Sequence, residues 1–220
     1  MVLERRGKRQ KSGSREFPGN FPMNGNLEKI GLFGGSFDPI HNGHMALAER
    51  AVDFAGLDRV LFIPTANPPH KVGRELTGFG LRRKMVQLAI EDNPRYEISL
   101  FEKKDRISYT YESVEHFRDR GYARDKLHYL MGGDSLGEIT DWMHPEIIFR
   151  HATIISLSRP GYRELYPFPP DAAVMVLNRG KCDISSTGVR EAARKGRPID
   201  DMVPDAVAEF IRENSLYRKG

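Results

Sequence analysis

From Ile30 onward the apolar positions of the chain switch repeatedly between short runs and helical spacing. Ile30, Leu32 and Phe33 form a strand-like run that stops at Gly34-Gly35, and beyond a turn Met45, Leu47, Ala48, Ala51, Val52 and Ala55 recur with the helical period. Arg59 to Pro64 (RVLFIP) reads as a buried strand closed by proline. Leu81 to Asp92 predicts an amphipathic helix with Leu81, Met85, Leu88 and Ala89 on its apolar face, ending at Asn93-Pro94. Tyr96 to Phe101 alternates as a strand, and Tyr111 to Arg120 follows as a helix with Ser108 or Thr110 as N-cap and Gly121 as C-cap. Lys126 to Met131 is a strand that runs into Gly132-Gly133-Asp134-Ser135, and Leu136 to Pro145 is an irregular stretch. Ala152 to Leu157 and Ala173 to Leu177 add two strands, Gly188 to Lys195 and Pro204 to Asn214 two helices, the last turning Val207, Phe210 and Ile211 inward. Strands that alternate with helices predict an α/β fold, a doubly wound and mainly parallel sheet with flanking helices.

Composition narrows the class. A chain of 220 residues with 39% apolar and 29% charged content suits one soluble globular domain. No apolar run approaches the roughly 20 residues that cross a bilayer, and no apolar segment follows the basic N-terminus as in a secretory signal. A single cysteine, Cys182, cannot close an internal disulfide, which suits a reducing cytoplasm. The formal charge of +4 lies in residues 1–26, where Arg5, Arg6, Lys8, Arg9, Lys11 and Arg15 face only Glu4 and Glu16, 6 − 2 = +4. The expected division is therefore a basic, disordered tail over 1–26, with Met23 as an alternative start, and one domain over 27–220. The tail can touch RNA or an acidic partner non-specifically or be a solvated extension, and a neutral body makes nucleic acid an unlikely partner.

Candidate chemistry concentrates at strand ends. Glycines at Gly34 and Gly35 let backbone N–H groups approach an anion, the following helix presents unpaired N–H groups, and His41 and His44 add imidazole donors, so this stretch reads as a phosphate site. Ser185, Ser186 and Thr187 at a helix start with Arg190 one turn in form a second anion site or, alternatively, a plain cap with a solvated arginine. Two such sites favour a polyphosphate ligand. The loop of about fifteen residues after Pro64 carries His70 and Lys71, as a functional loop or a solvated basic one. Asp134 either holds a ribose diol or caps a helix. Trp142, beside Asp141, Met143 and His144, either stacks on a ligand ring or is partly buried against a helix.

The run G-S-F-D-P-I-H-N-G-H from Gly35 to His44 resembles the signature of the nucleotidyltransferase superfamily with the H-x-G-H motif, which implies its Rossmann-like nucleotidyltransferase fold and transfer of a nucleoside monophosphate with release of pyrophosphate. Phe62 to Lys71 (FIPTANPPHK), Gly132 to Trp142 and Ile184 to Arg190 (ISSTGVR), with the closing PDAVAEFIRENSLY, resemble the bacterial nicotinate-nucleotide adenylyltransferases over about residues 28–218. That resemblance implies transfer of AMP from ATP to nicotinate mononucleotide in NAD biosynthesis, assisted by Mg²⁺ carried on the ATP phosphates and with no protein-held metal. It also implies roles. Gly34, Gly35, Ser36 and Phe37 would cradle phosphate, Ser36 and Phe37 facing the acceptor as well. His41, His44 and Arg190 would act on the ATP phosphates in catalysis, Ser185, Ser186 and Thr187 would grip them, and Asp134 would hold a ribose. Lys71, a backbone N–H of Thr110, and Trp142 would contact nicotinate mononucleotide. The sequence departs from the family at Met143, which separates Trp142 from His144 where an aromatic or basic residue commonly follows the tryptophan. A phosphopantetheine adenylyltransferase, or a nucleotide- or RNA-binding module without catalysis, are the alternatives. Monomer and homo-oligomer are both open at this level.

Overall fold

The computed structural model describes residues 27–68, 76–99, 107–158, 168–178 and 183–218. The tail over 1–26, Lys71 and Cys182 lie outside the described residues. Six strands form one sheet: β1 (Ile30–Gly35), β2 (Arg59–Pro64), β3 (Tyr96–Ile98), β4 (Leu127–Gly132), β5 (Thr153–Ser158) and β6 (Val174–Asn178). Their order is β3-β2-β1-β4-β5-β6 and every pairing is parallel, so the expected doubly wound sheet is present. The helices are α1 (Asn42–Ala55), α2 (Phe79–Ile90), α3 (Thr110–Arg118), α4 (Gly133–Glu138), α5 (Pro145–His151), α6 (Ser186–Arg194) and α7 (Asp205–Glu213).

A parallel sheet covered on both faces needs strands that are apolar on both sides, which is why β2 reads as a continuous apolar run. Its residues alternate accordingly. Val60 and Phe62 join one core with Phe33, Leu130, Ile155, Leu157 and the inner faces of α1, α2, α6 and α7. Leu61 and Ile63 join the other with Ile30, Leu32, Leu127, Met131 and Ile154, covered by α3, α4 and α5 through Val114, Leu136 and Ile148.

Several element boundaries differ from expectation for local reasons. Helix α2 turns Arg82 inward with Met85, Val86 and Ile90, while Leu88 and Ala89 of the expected face are only partly buried. Helix α3 is capped by Tyr109 rather than Ser108 or Thr110, with Glu112 Oε2 accepting from the Tyr109 N–H at 3.4 Å. The stretch Leu136 to Pro145 is largely helical: α4, a 3₁₀ turn at Ile139–Asp141 and the start of α5, which has Pro145 in its first turn. Pro204 is the N-cap of α7 rather than a residue within it.

Strand β3 does not alternate between core and solvent, because all three of its residues are buried. Glu97 is 3% exposed and ion-paired to Arg59 of the neighbouring strand, which also binds Glu28 at 2.6 Å. These pairings hold Arg59 more firmly protonated, with the Glu28 hydrogen bond the largest cause. Removing the arginine strands a buried carboxylate. Arg59→Met is expected to lower unfolding free energy by about 3 kcal/mol, measured by urea denaturation, and Glu97→Gln in the same chain to recover part of the loss; an unchanged midpoint in the single variant would remove this pair from the account.

Candidate active site

The site begins where β1 ends. Gly34 lies beneath a side chain of the adjacent strand: a Cβ there would stand 2.5 Å from the hydroxyl oxygen of Tyr129 on β4. Beyond Gly35 the chain turns through Phe37, whose φ of 45° is left-handed, and enters α1 at Asn42. The backbone N–H of His41 donates to Nδ1 of His44 at 3.1 Å. A neutral His44 with Nδ1 accepting carries its proton on Nε2, so that nitrogen is the ring's donor. The His41 ring stacks on that of His44 with centroids 3.7 Å apart and planes 29° from parallel. Phe37 and Phe33 meet His44 edge-on at 5.1 and 5.7 Å, which fixes the imidazole from its other sides. Gly43 makes room for the stack, since a Cβ would lie 3.0 Å from the His41 ring. Burial holds His41 down to about 4, so it is neutral near pH 7.

A buried guanidinium fixes the loop from below. Arg82 is 1% exposed and donates to the carbonyls of Thr77 (2.8 Å), Ser36 (2.5 Å), Thr65 (2.8 Å) and Ala66 (3.2 Å). The loops after β1 and β2 are thereby one unit. The sequence shows this residue only as one of two adjacent arginines in a charged helical stretch, and that pattern has no signal for burial.

Helix α6 arrives from the other side. Ser185 is its N-cap, with Oγ accepting from the Gly188 N–H at 3.1 Å, and Ser186 Oγ donates to the Pro39 carbonyl at 2.9 Å. Arg190 donates to the Asp38 carbonyl at 2.7 Å and to Thr187 Oγ1 at 3.2 Å. The capping reading and the anion-site reading are therefore not exclusive, because Ser185 satisfies Gly188 while standing on the cavity wall.

Toward the other end, Thr110 begins α3 and its Oγ1 shares a hydrogen bond with the Tyr129 hydroxyl at 3.2 Å. Trp142 is partly buried on the second core and meets Tyr129 edge-on at 6.3 Å and 87°. Met143, 49% exposed, stands at the rim, and His144 adopts φ 51° and packs edge-on against Tyr111.

One cavity of 820 Å³ joins these parts. Of the residues singled out in the sequence, Gly34, Gly35, Ser36, Phe37, His41, His44, Thr110, Trp142, Ser185 and Ser186 line it. Thr187 and Arg190 are not among the lining residues; Arg190 is held on the Asp38 carbonyl and on Thr187 Oγ1. Asp134 falls within α4, but its side chain lies outside what is described, as does Lys71 entirely. Arg82, Asp38 and Tyr129 are the site-shaping residues that sequence reasoning missed. No group of three or more His, Cys, Asp or Glu among the described residues is arranged to hold a metal ion, and none of the described helices is long and apolar enough to cross a membrane.

Comparison with known proteins places this geometry. Residues 32–192 match the model of the cytidylyltransferase-like family. A probable nicotinate-nucleotide adenylyltransferase of Clostridium tetani is 37% identical over 203 residues, spanning 87% of this chain and 100% of that relative. The nicotinate-nucleotide adenylyltransferase of Bacillus subtilis is 34% identical and spans 87% of this chain and 99% of its own length. Among solved structures, Plasmodium falciparum nicotinic acid mononucleotide adenylyltransferase complexed with NaAD superposes with a TM-score of 0.68 over 86% of this chain and 97% of that one, and at 20% identity the likeness is one of fold. Sequence relatives and fold thus agree, and the chain belongs to the nicotinate-nucleotide adenylyltransferases of the cytidylyltransferase-like family.

Proposed function

We propose that the chain moves AMP from ATP to nicotinate mononucleotide, giving deamido-NAD and pyrophosphate in NAD biosynthesis. The observation that carries this reading is the continuous cavity that runs from the Gly35 loop and the start of α6 to the start of α3 and Trp142, with a glycine loop and a helix start at one end and a helix N-terminus beside an aromatic ring at the other. In the relatives the same name recurs over nearly their whole length.

The reaction forms a bond between an acceptor phosphate oxygen and the α-phosphorus of ATP, and breaks the bond from that phosphorus to pyrophosphate. The nucleophile is already an anion, so no general base is needed, and catalysis rests on placement and on donors aimed at the developing charge. The backbone of Gly34, Gly35, Ser36 and Phe37 supplies N–H groups. His44 supplies Nε2–H in a ring fixed on several sides. His41 neutral under its stack spares the pair a charge repulsion. Ser185, Ser186 and Thr187 contribute the start of α6, and Arg190, held on the Asp38 carbonyl, brings positive charge beside the phosphates. ATP enters as its Mg²⁺ complex, with the ion carried on the ATP phosphates.

At the acceptor end, the first N–H groups of α3 at Thr110 and the helix's positive end favour a carboxylate over an amide. Trp142 offers its ring to the pyridine, Asp134 a carboxylate to a ribose, and Lys71 an ammonium to phosphate. A cytoplasmic place of action fits the reaction's substrates.

Offered separately with Mg²⁺ and ATP, nicotinate mononucleotide is expected to yield pyrophosphate far faster than nicotinamide mononucleotide or phosphopantetheine. Preference for phosphopantetheine would replace this reading with the neighbouring one. His44→Ala is expected to lower turnover about 10²-fold or more, the usual effect of losing one transition-state donor, with its circular dichroism unchanged; near-normal pyrophosphate release would remove the role given to His44. A pH dependence follows from His41. Its folded value of about 4 lies below the ordinary 6.5, so as pH falls below 6.5 the unfolded chain takes up a proton that the folded chain refuses until about 4. The His41 contribution to stability is level above 6.5 and drops by about 3 kcal/mol across that window. Burial and Arg120 lower His116 to about 4 as well, so His41→Gln should flatten the acid slope of thermal midpoint against pH without abolishing it. Identical slopes in the two proteins would show that His41 is not held neutral.

A further inference from the structure

The loop that the proposed reaction depends on is tied to the end of the chain. Asp38 is 1% exposed and sits between Phe37 and the turn into α1. Its carboxylate accepts from the Tyr217 hydroxyl at 2.8 Å and from the Thr77 N–H at 3.3 Å, while its carbonyl accepts from Arg190 at 2.7 Å. One residue thus gathers the phosphate loop, the close of the loop that precedes α2, helix α6 and the segment after α7. Neighbouring bonds reinforce the contact: Asn42 donates its backbone N–H to the Met202 carbonyl at 2.9 Å and its side-chain amide to the Asp201 carbonyl at 3.1 Å.

The backbone just before Asp38 and at Tyr217 is held in a costly conformation. Phe37 has φ 45° and Tyr217 φ 64°, and bulky side chains adopt the left-handed region only where their surroundings over-determine it. Ser215, just before, has φ 50°, so the chain after α7 turns sharply to deliver Tyr217 to Asp38. Burial, with the Asp38 charge adding to it, raises the Tyr217 hydroxyl's pKa and keeps it a donor across the working pH range. Leu216 and Tyr217 also pack, partly buried, against the core that holds Val207, Ala208 and Ile211 of α7.

We propose that Tyr217 and Asp38 are a positioning pair through which the segment after α7 sets the geometry of the ATP phosphate site. Neither residue lines the cavity, so each acts through the groups it holds: Tyr217 orients the Asp38 carboxylate, and the Asp38 carbonyl aims Arg190. The consequence is asymmetric. ATP binding depends on the pair directly, whereas the acceptor end, built on Thr110, Tyr129 and Trp142, is reached from it through Ser36 and Phe37 of the same loop.

The inference rests on the assignment of the phosphate end to ATP, and the test is chosen to separate the two. Binding of Mg²⁺-ATP is measured by titration calorimetry in the wild type, Tyr217→Phe, Asp38→Asn and the double variant, alongside thermal midpoints and the KM for nicotinate mononucleotide. Each single variant is expected to weaken ATP binding about tenfold, the scale of a small misplacement of binding groups. The double variant should be no weaker than the poorer single one, because partners in one network are not additive. Acceptor KM should change less than ATP affinity, and every midpoint should stay within a few degrees. Additive losses, unaltered ATP affinity in Tyr217→Phe, or a loss that tracks falling midpoints would each overturn the proposal. ATP binding by the wild type without transfer to nicotinate mononucleotide would instead sink the acceptor assignment, and the ATP titrations would still decide the role of the pair.

Discussion

A phosphate site made of backbone amides must hold a short loop in one conformation, and every carbonyl that such a loop turns inward needs a donor. Arg82 meets that constraint. A guanidinium taken out of water costs several kcal/mol, offset here because it is surrounded by the carbonyls of Ser36, Thr65, Ala66 and Thr77. Its planar fork can serve several oxygens at once, which an ammonium cannot do with the same rigidity. The loops after β1 and β2 are therefore not independent surface turns, and the Gly35 loop inherits the stiffness of α2. The stacked imidazoles, the aromatic wedge of Phe33 and Phe37 and the docking of α6 on Pro39 all presuppose that this loop stays in place.

The sheet decides where the loop lies. With the order β3-β2-β1-β4-β5-β6, the connections leaving β1 and β4 diverge to opposite faces, and a crevice opens between them at the carboxyl ends of the strands. The register carries this into side-chain detail. Leu32 pairs with Tyr129, so Gly34 comes beneath the Tyr129 hydroxyl, and any side chain at position 34 would push that hydroxyl off Thr110. A glycine that reads as a phosphate-loop residue thus also makes room for the acceptor wall.

What was legible in the sequence is what local periodicity and a compact motif encode. The strands, the helix behind His44, the parallel doubly wound class and the glycine-histidine loop all follow from residues close together in the chain. What was not legible depends on partners far away. Arg82 looks solvent-facing because a helical wheel cannot know that four carbonyls await it, and Glu97 looks solvated because its partner Arg59 lies on another strand. Helix α5 escaped notice because seven residues with Ile147, Ile148 and Phe149 in a row show no helical period. Tyr217 follows the last amphipathic element, where a pattern-based reading has no reason to look. These are tertiary facts: the same residues could sit at the surface of another fold.

The two ends of the cavity are built from different materials, and this separates reaction from substrate. The end proposed to bind phosphate consists of backbone N–H groups, helix starts and side chains locked by Arg82 and Asp38. Such a surface recognises charge and tetrahedral geometry, which every nucleoside triphosphate shares. The end proposed to bind the acceptor consists of side chains that meet one another by their edges, Tyr129 against Trp142 and Tyr111 against His144, with Met143 exposed beside them. Edge contacts and an exposed thioether can be exchanged without moving a strand, whereas a change at Gly34 or Arg82 disturbs the loops themselves. Divergence in acceptor choice is therefore open to single side-chain replacements around Trp142, while the chemistry of adenylyl transfer is fixed by backbone that no single replacement there can re-aim.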